Sequence, residues 1–103
     1  MITLALRYTV DHNKLADFEA YVRALPAHIE RCGGKCVGYY MPTRLAGPSN
    51  VALGFIDFPN LTAYEQYREK LASDPGAAET LRRVEAAGCI VSEERSFVQR
   101  TPG

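Results

Sequence analysis

The chain has 103 residues, which bounds it to one domain able to bury only about two-thirds of the surface its unfolded form exposes. Twelve basic side chains balance twelve acidic ones, so no net field draws it to nucleic acid or an anionic membrane, and no apolar run approaches a membrane span. Three cysteines, an odd number, argue against a disulfide framework and for a reducing, cytoplasmic compartment.

The first residues, MITLALRYTV, alternate: Ile2, Leu4, Leu6 and Tyr8 interleave with Thr3, Ala5, Arg7 and Thr9. Period two predicts a two-faced strand rather than a signal peptide. After the turn cluster Asp11-His12-Asn13, the residues Leu15, Phe18, Val22, Leu25 and Ile29 recur at helical spacing. Pro26 is expected to kink this helix, and Gly33-Gly34 to stop it. Residues 35–42 read as a second strand, with Val37, Tyr39 and Met41 on one face and Cys36 and Tyr40 on the other. Residues 43–50 read as a loop.

VALGFIDF, residues 51–58, is nearly continuously apolar, the pattern of a strand covered on both faces. Pro59-Asn60 breaks it, and Thr62 is placed to help start the next helix, whose stripe is Leu61, Tyr64, Tyr67 or Arg68, and Leu71. Asp74-Pro75 reads as an N-cap followed by proline at the first helical position. The third helix carries Ala78, Leu81 and Val84 and ends at Gly88. Residues 89–98 form the last strand. The order is β-α-β-β-α(α)-β, an α+β, ferredoxin-like βαββαβ fold with a four-stranded antiparallel sheet. Residues 1–100 make one domain, and 101–103 a short tail.

Two or three helices cover one face of such a sheet, yet the strand at 51–58 is apolar on both parities. An uncovered apolar face of that size is rare on a monomer. The expected remedy is a closed two-fold homodimer, sheet against sheet.

The stretch CGGKCVGYY, residues 32–40, looks most like a motif, and its chemistry is mostly excluded. Cys32 and Cys36 lack the second tight ligand pair of a zinc site. They straddle a helix C-terminus, where the dipole disfavours a thiolate. The glycines follow a helix, whereas phosphate loops precede one. No metal site is expected. Of the two histidines, His28 lies near the margin of the helix face and is the candidate catalytic base. Arg7, mid-strand, would need a partner in a sheet-on-sheet dimer. Glu93 or Glu94 of the last strand can supply it, or Arg7 can anchor an anionic ligand. Six tyrosines are many for this length; as ring and hydroxyl together they suit either a core or a flat ligand pocket.

The succession LRYTVD, K-L-x-x-F-E-x-Y, RCGG-x-x-x-GYY-x-P, N-V-A-x-G-x-I-x-F-x-x-L-x-A-Y-E-x-Y-R, L-x-S-DP and EERSF resembles the small bacterial branch of the NIPSNAP family, over nearly the whole chain. That family belongs to the dimeric α+β barrel superfamily. The resemblance implies a ferredoxin-like protomer and a homodimer whose two sheets form a barrel. It also implies a ligand between sheet and helices. The residues matching its recurrent pattern are Arg7, Tyr8, Gly33, Gly34, Gly38, Tyr39, Asn50, Tyr64, Arg68 and Asp74. The tryptophan many members carry in the strand equivalent to VALGFIDF is missing here.

Relatives in the superfamily include cofactor-independent monooxygenases, haem-handling proteins and stress-response proteins. The expectation is therefore a small, aromatic ligand bound by Arg7, Tyr8, Tyr39 and Tyr64 without a cofactor. A monooxygenase-like reaction would use His28 and Tyr40. The alternatives are a non-catalytic interaction or stress-response protein, whose interior would be filled, and a haem-handling protein, which would need an axial histidine.

Overall fold

The computed structural model describes residues 1–102. The strands are β1 (Ile2–Val10), β2 (Lys35–Tyr40), β3 (Val51–Phe58) and β4 (Ile90–Val98). The helices are α1 (Leu15–Arg31), α2 (Leu61–Ser73) and α3 (Pro75–Ala87), with a 3₁₀ turn over His12–Lys14 leading into α1. The sheet order is β2-β3-β1-β4 and every pairing is antiparallel, the ferredoxin-like arrangement. All three helices lie on one face.

The period-two pattern of β1 puts Leu4, Leu6, Tyr8 and Val10 under the helices. On β3 the same face carries Ala52, Ile56 and Phe58, all buried. From α1, Phe18, Val22, Leu25 and Ile29 close the layer from above. α1 runs unbroken through Pro26, although that residue brings no N–H to the ladder. Its end is a Schellman motif: Gly34 N–H donates to Ile29 O at 3.0 Å and Gly33 N–H to Glu30 O at 3.3 Å, with Gly33 at φ 102°. Gly34 is also a close-approach site, since a Cβ there would meet Ile29 Cγ2 at 2.9 Å and Ile56 Cγ2 at 3.0 Å.

Asp74 caps α3 as expected: its Oδ2 accepts from Ala77 N at 2.8 Å, and Pro75 follows in the first turn. Gly88, at φ 64°, ends that helix. For α2 the cap is Asn60, whose Oδ1 accepts from Ala63 N at 2.9 Å, and not Thr62. An extended residue before the first turn can aim its side chain at the free N–H groups, whereas Thr62 already lies inside the helix.

The largest departure from expectation is in β2. The strand stops at Tyr40, and its ladder skips one residue: Cys36 pairs with Ile56, but Gly38 pairs with Phe55. The extra residue is a β-bulge, and everything after it changes face. Cys36, Tyr39 and Met41 therefore pack against the core under the helices, while Val37 and Tyr40 lie exposed on the other side.

Candidate functional site

Beneath the helices, the sheet carries a cavity of about 350 Å³. Its floor is Leu4, Leu6 and Ile56, its roof includes Leu25 of α1 and Leu71 of α2, and Ala77 and Ala78 of α3 leave room by being small. Four phenols line it: Tyr8, Tyr21, Tyr39 and Tyr67. Toward β4 the lining turns charged, with Glu93 and Arg95 from that strand and Arg68 from α2. On its inward face β4 carries Glu93 and Arg95 where the neighbouring strand carries Tyr8 and Leu6, so this side of the cavity is polar.

The rings form a continuous set. Tyr8 sits 5.0 Å from Phe18 and 6.3 Å from Tyr39, centroid to centroid, and Phe18 lies 5.9 Å from Tyr21. Tyr39 gets its place from two features of the chain. The bulge turns it inward, and Gly54, its partner on β3, has no side chain to occupy the space its ring fills. The Tyr39 hydroxyl is fully inaccessible and makes no hydrogen bond of ordinary geometry among the described residues, although the Tyr8 phenol is near enough to interact with it. Such a donor costs about 1–3 kcal/mol if it stays unpaired.

Burial, the largest effect, raises the phenol pKa values in the cavity, pushing Tyr21 and Tyr67 up to about 12. Tyr8 and Tyr39 rise further; after burial, Tyr21 adds to the rise at Tyr8 and Tyr8 to the rise at Tyr39, while the Tyr39 hydroxyl pulls Tyr8 back down. These groups are therefore protonated donors and poor bases at neutral pH. Arg95 Nη1 donates to Glu93 Oε2 at 2.9 Å, and its Nη2 donates to the Tyr64 hydroxyl at 3.3 Å. The Tyr64 ring packs edge-on against Phe58 and Phe97, so Tyr64 braces the charged rim from behind.

Of the residues singled out from the sequence, Tyr8 and Tyr39 line the cavity, and Tyr64 touches it through Arg95. Arg7 and Tyr40 lie on the opposite, helix-free face of the sheet. There Arg7 Nη1 stands 3.7 Å from Glu94 Oε1, the cross-strand partner its register provides. The Tyr40 ring meets Phe55 edge-on at 6.0 Å. His28 is outside the cavity, wedged between α1 and α3. Its Nδ1 is 2.6 Å from Arg31 Nη2, and its Nε2 is 3.0 Å from Thr80 Oγ1. Neither histidine lines the cavity, so the axial imidazole that haem handling requires is not supplied there.

Tyr21, Glu93 and Arg95 also line it; the sequence offered Glu93 only as a partner for Arg7 and Tyr21 only as one of six tyrosines. The signal available was the parity of β4: Glu93 and Arg95 stand opposite Tyr8 and Leu6, which face the helices. Among the described residues, no cluster of His, Cys, Asp and Glu could hold a metal ion, and no helix is long and apolar enough to cross a membrane.

The fold recurs among solved structures. A NIPSNAP family protein from Agrobacterium tumefaciens superposes with TM-score 0.83 at 23% identity, covering 97% of this chain and 92% of that one. An uncharacterized NIPSNAP domain protein from Burkholderia xenovorans gives TM-score 0.82 at 17% identity, covering 98% and 95%. SnoaB, a cofactor-independent oxygenase from Streptomyces nogalater, gives TM-score 0.68 at 19% identity, covering 99% and 94%. No curated protein is similar enough to match. The NIPSNAP family model matches residues 4–102, and on that near-complete match the chain belongs to the NIPSNAP family.

Proposed function

We propose that this protein is a homodimer that binds a small aromatic ligand between the sheet and the helices of each protomer. The observation that carries the ligand is the buried Tyr39 hydroxyl, which has only the nearby Tyr8 phenol for company and no well-formed hydrogen bond, beside an apolar cavity of about 350 Å³. An acceptor atom on a flat molecule would relieve that hydroxyl, and the surrounding rings would stack on its faces. The cavity falls in the size range of small-molecule sites and has their composition, an apolar body with a few converging polar groups.

The homodimer rests on the other side of the sheet. Val37, Tyr40 and Leu53 are 50%, 54% and 39% exposed there and lie close to Phe55, with the Arg7–Glu94 pair at the margin. A second copy of the same face would cover this patch and leave both ligand cavities on the outside of the paired sheets.

The enzymatic form of this reading is a cofactor-independent, monooxygenase-like reaction, for which the fold likeness to SnoaB is the support. That chemistry takes a proton from the substrate. With His28 committed to Arg31 and Thr80, and the phenols held protonated, Glu93 is the carboxylate on the cavity wall, and it would have to loosen its pair with Arg95 to take that proton. The deciding experiment is native mass spectrometry of the purified protein, followed by release and identification of bound small molecules. A dimer carrying an aromatic compound supports the reading and provides a substrate to incubate under oxygen. A dimer with an empty interior, which then binds no member of an aromatic panel, turns the balance to an interaction protein.

A further inference from the structure

The polar groups of the cavity are distributed unevenly, and that distribution specifies a ligand more closely than "aromatic". The following rests on the reading above that the cavity holds a flat ring system.

Tyr39 belongs to β2 and the Glu93–Arg95 pair to β4, the two opposite edges of the sheet. Two strands lie between them, so the backbones are separated by about 14 Å at ordinary strand spacing. The lining between is hydrocarbon and aromatic ring. At the β2 end the one demand is an oxygen acceptor for a neutral phenol. At the β4 end stand two guanidinium groups and one carboxylate. Arg95 is bound to Glu93, and each cancels the other. Arg68 makes no ion pair among the described residues, although nearly every other arginine near the helices does. The mouth of the cavity is left with one positive charge in excess, on a side chain that reaches in from exposed α2.

The geometry points to an elongated, fused-ring organic monoanion as the ligand. Its carboxylate or enolate would sit at the Arg68–Arg95 rim, and a second oxygen at the far end would accept from the Tyr39 hydroxyl. A planar anion matches a guanidinium better than it matches an ammonium, because two parallel N–H groups can donate to its two oxygens. The carboxylate of Glu93 does not repel it, since Arg95 stands against that charge.

The test uses the full-length protein and two probes. One is a hydroxynaphthoate with hydroxyl and carboxylate at opposite ends of the ring system; the other is the corresponding neutral carboxamide. Binding is followed by probe fluorescence. The expected result is at least ~10-fold tighter binding of the carboxylate, weakening with added salt. Arg68→Gln, an exposed change, should erase the preference, costing the carboxylate ~10-fold more affinity than it costs the carboxamide. Tyr39→Phe should weaken both probes by a similar factor, ~10-fold. Equal affinity for both probes in the wild-type protein overturns the anion inference while leaving the aromatic-binding reading intact. So does a preference that survives Arg68→Gln. Failure of both probes, and of unsubstituted naphthalene, to bind overturns the aromatic reading itself.

Discussion

The ring of Tyr39 lies flat against the backbone of Gly54, its cross-strand partner: a Cβ at position 54 would meet Tyr39 Cδ1 at 2.7 Å and Cζ at 3.0 Å. Gly54→Ala therefore forces the ring out of its seat or pushes the strands apart. The expected loss is about 1–3 kcal/mol of stability, the cost of overpacking a tight contact. Binding of an aromatic probe should fall with it. A denaturant melt and a probe titration check the two effects separately. An alanine variant with wild-type stability and affinity would show that Tyr39 has freedom the close contact denies it.

His28 is expected to matter for stability and not for the ligand. It joins α1 to α3 through Thr80, its other ring nitrogen faces Arg31 of its own helix, and Gly76 packs against its ring at a distance a Cβ could not tolerate. His28→Ala should cost on the order of 1 kcal/mol for the lost hydrogen bonds and contacts, with probe affinity unchanged. A variant that is stable but no longer binds or turns over ligand would return the imidazole to the site.

The acid limb of stability should report on Asp74. Its carboxyl is held down at about 2, first by the Arg31 hydrogen bond and then by the Ala77 N–H at the head of α3. A depressed carboxylate stabilises the fold above its ordinary value of 3.8, and that contribution is lost as pH falls toward 2. Asp74→Asn keeps a capping oxygen and removes the charge. Its Tm should start lower at neutral pH and fall less steeply between those two values. Glu79, lowered to about 2 by Arg82 and Arg83, is present in both proteins, so the difference between the curves belongs to Asp74.

The alkaline limb should report on the cavity phenols. Tyr21 and Tyr67 move from 10.0 up to about 12 in the fold, chiefly through burial. A raised phenol binds its proton more tightly folded than unfolded, so its stabilising effect is intact below 10.0 and is lost as pH rises toward 12. Phenolate absorbance of the native protein should lag behind that of the unfolded chain in this window. Tyr21→Phe should flatten the loss of stability. A native titration curve that overlays the unfolded one would place these phenols in water.

Leu53 lies on the helix-free face, paired across strands with Arg7 on one side and Tyr40 on the other. A positive charge at this position, beside Arg7, would be buried and repelled in a sheet-on-sheet dimer, yet would simply be solvated in a monomer. Leu53→Lys should convert a dimer to a folded monomer, read by sedimentation or light scattering together with circular dichroism. A dimer that persists would mean that the protomers associate through another surface.

What can be read from the linear chain is whatever depends on near neighbours. The alternation of Ile2 to Thr9, the stripe from Leu15 to Ile29, the Asp74-Pro75 start and the Gly33 and Gly88 stops each concern a few adjacent residues. All of them appear where the pattern puts them. The Arg7–Glu94 pair was legible too, because strand order places first and last strands side by side. The candidate site was not legible to the same degree. One bulged residue at Val37–Gly38 exchanges the faces of Tyr39 and Tyr40, and alternation alone has no means of registering it, since a bulge is decided by the partner strand. His28 left the candidate site because α3 packs over it, a contact 52 residues away in the chain. Glu93 and Arg95 entered it because their register beside Tyr8 and Leu6 turns them to the helix side of the sheet. Sequence by itself determined the elements, their order and the family, since these follow from local periodicity and a motif pattern spread over the chain. Tertiary structure alone decided which side chains face one another across the cavity, because side-chain direction depends on register, and register is a property of pairs of strands.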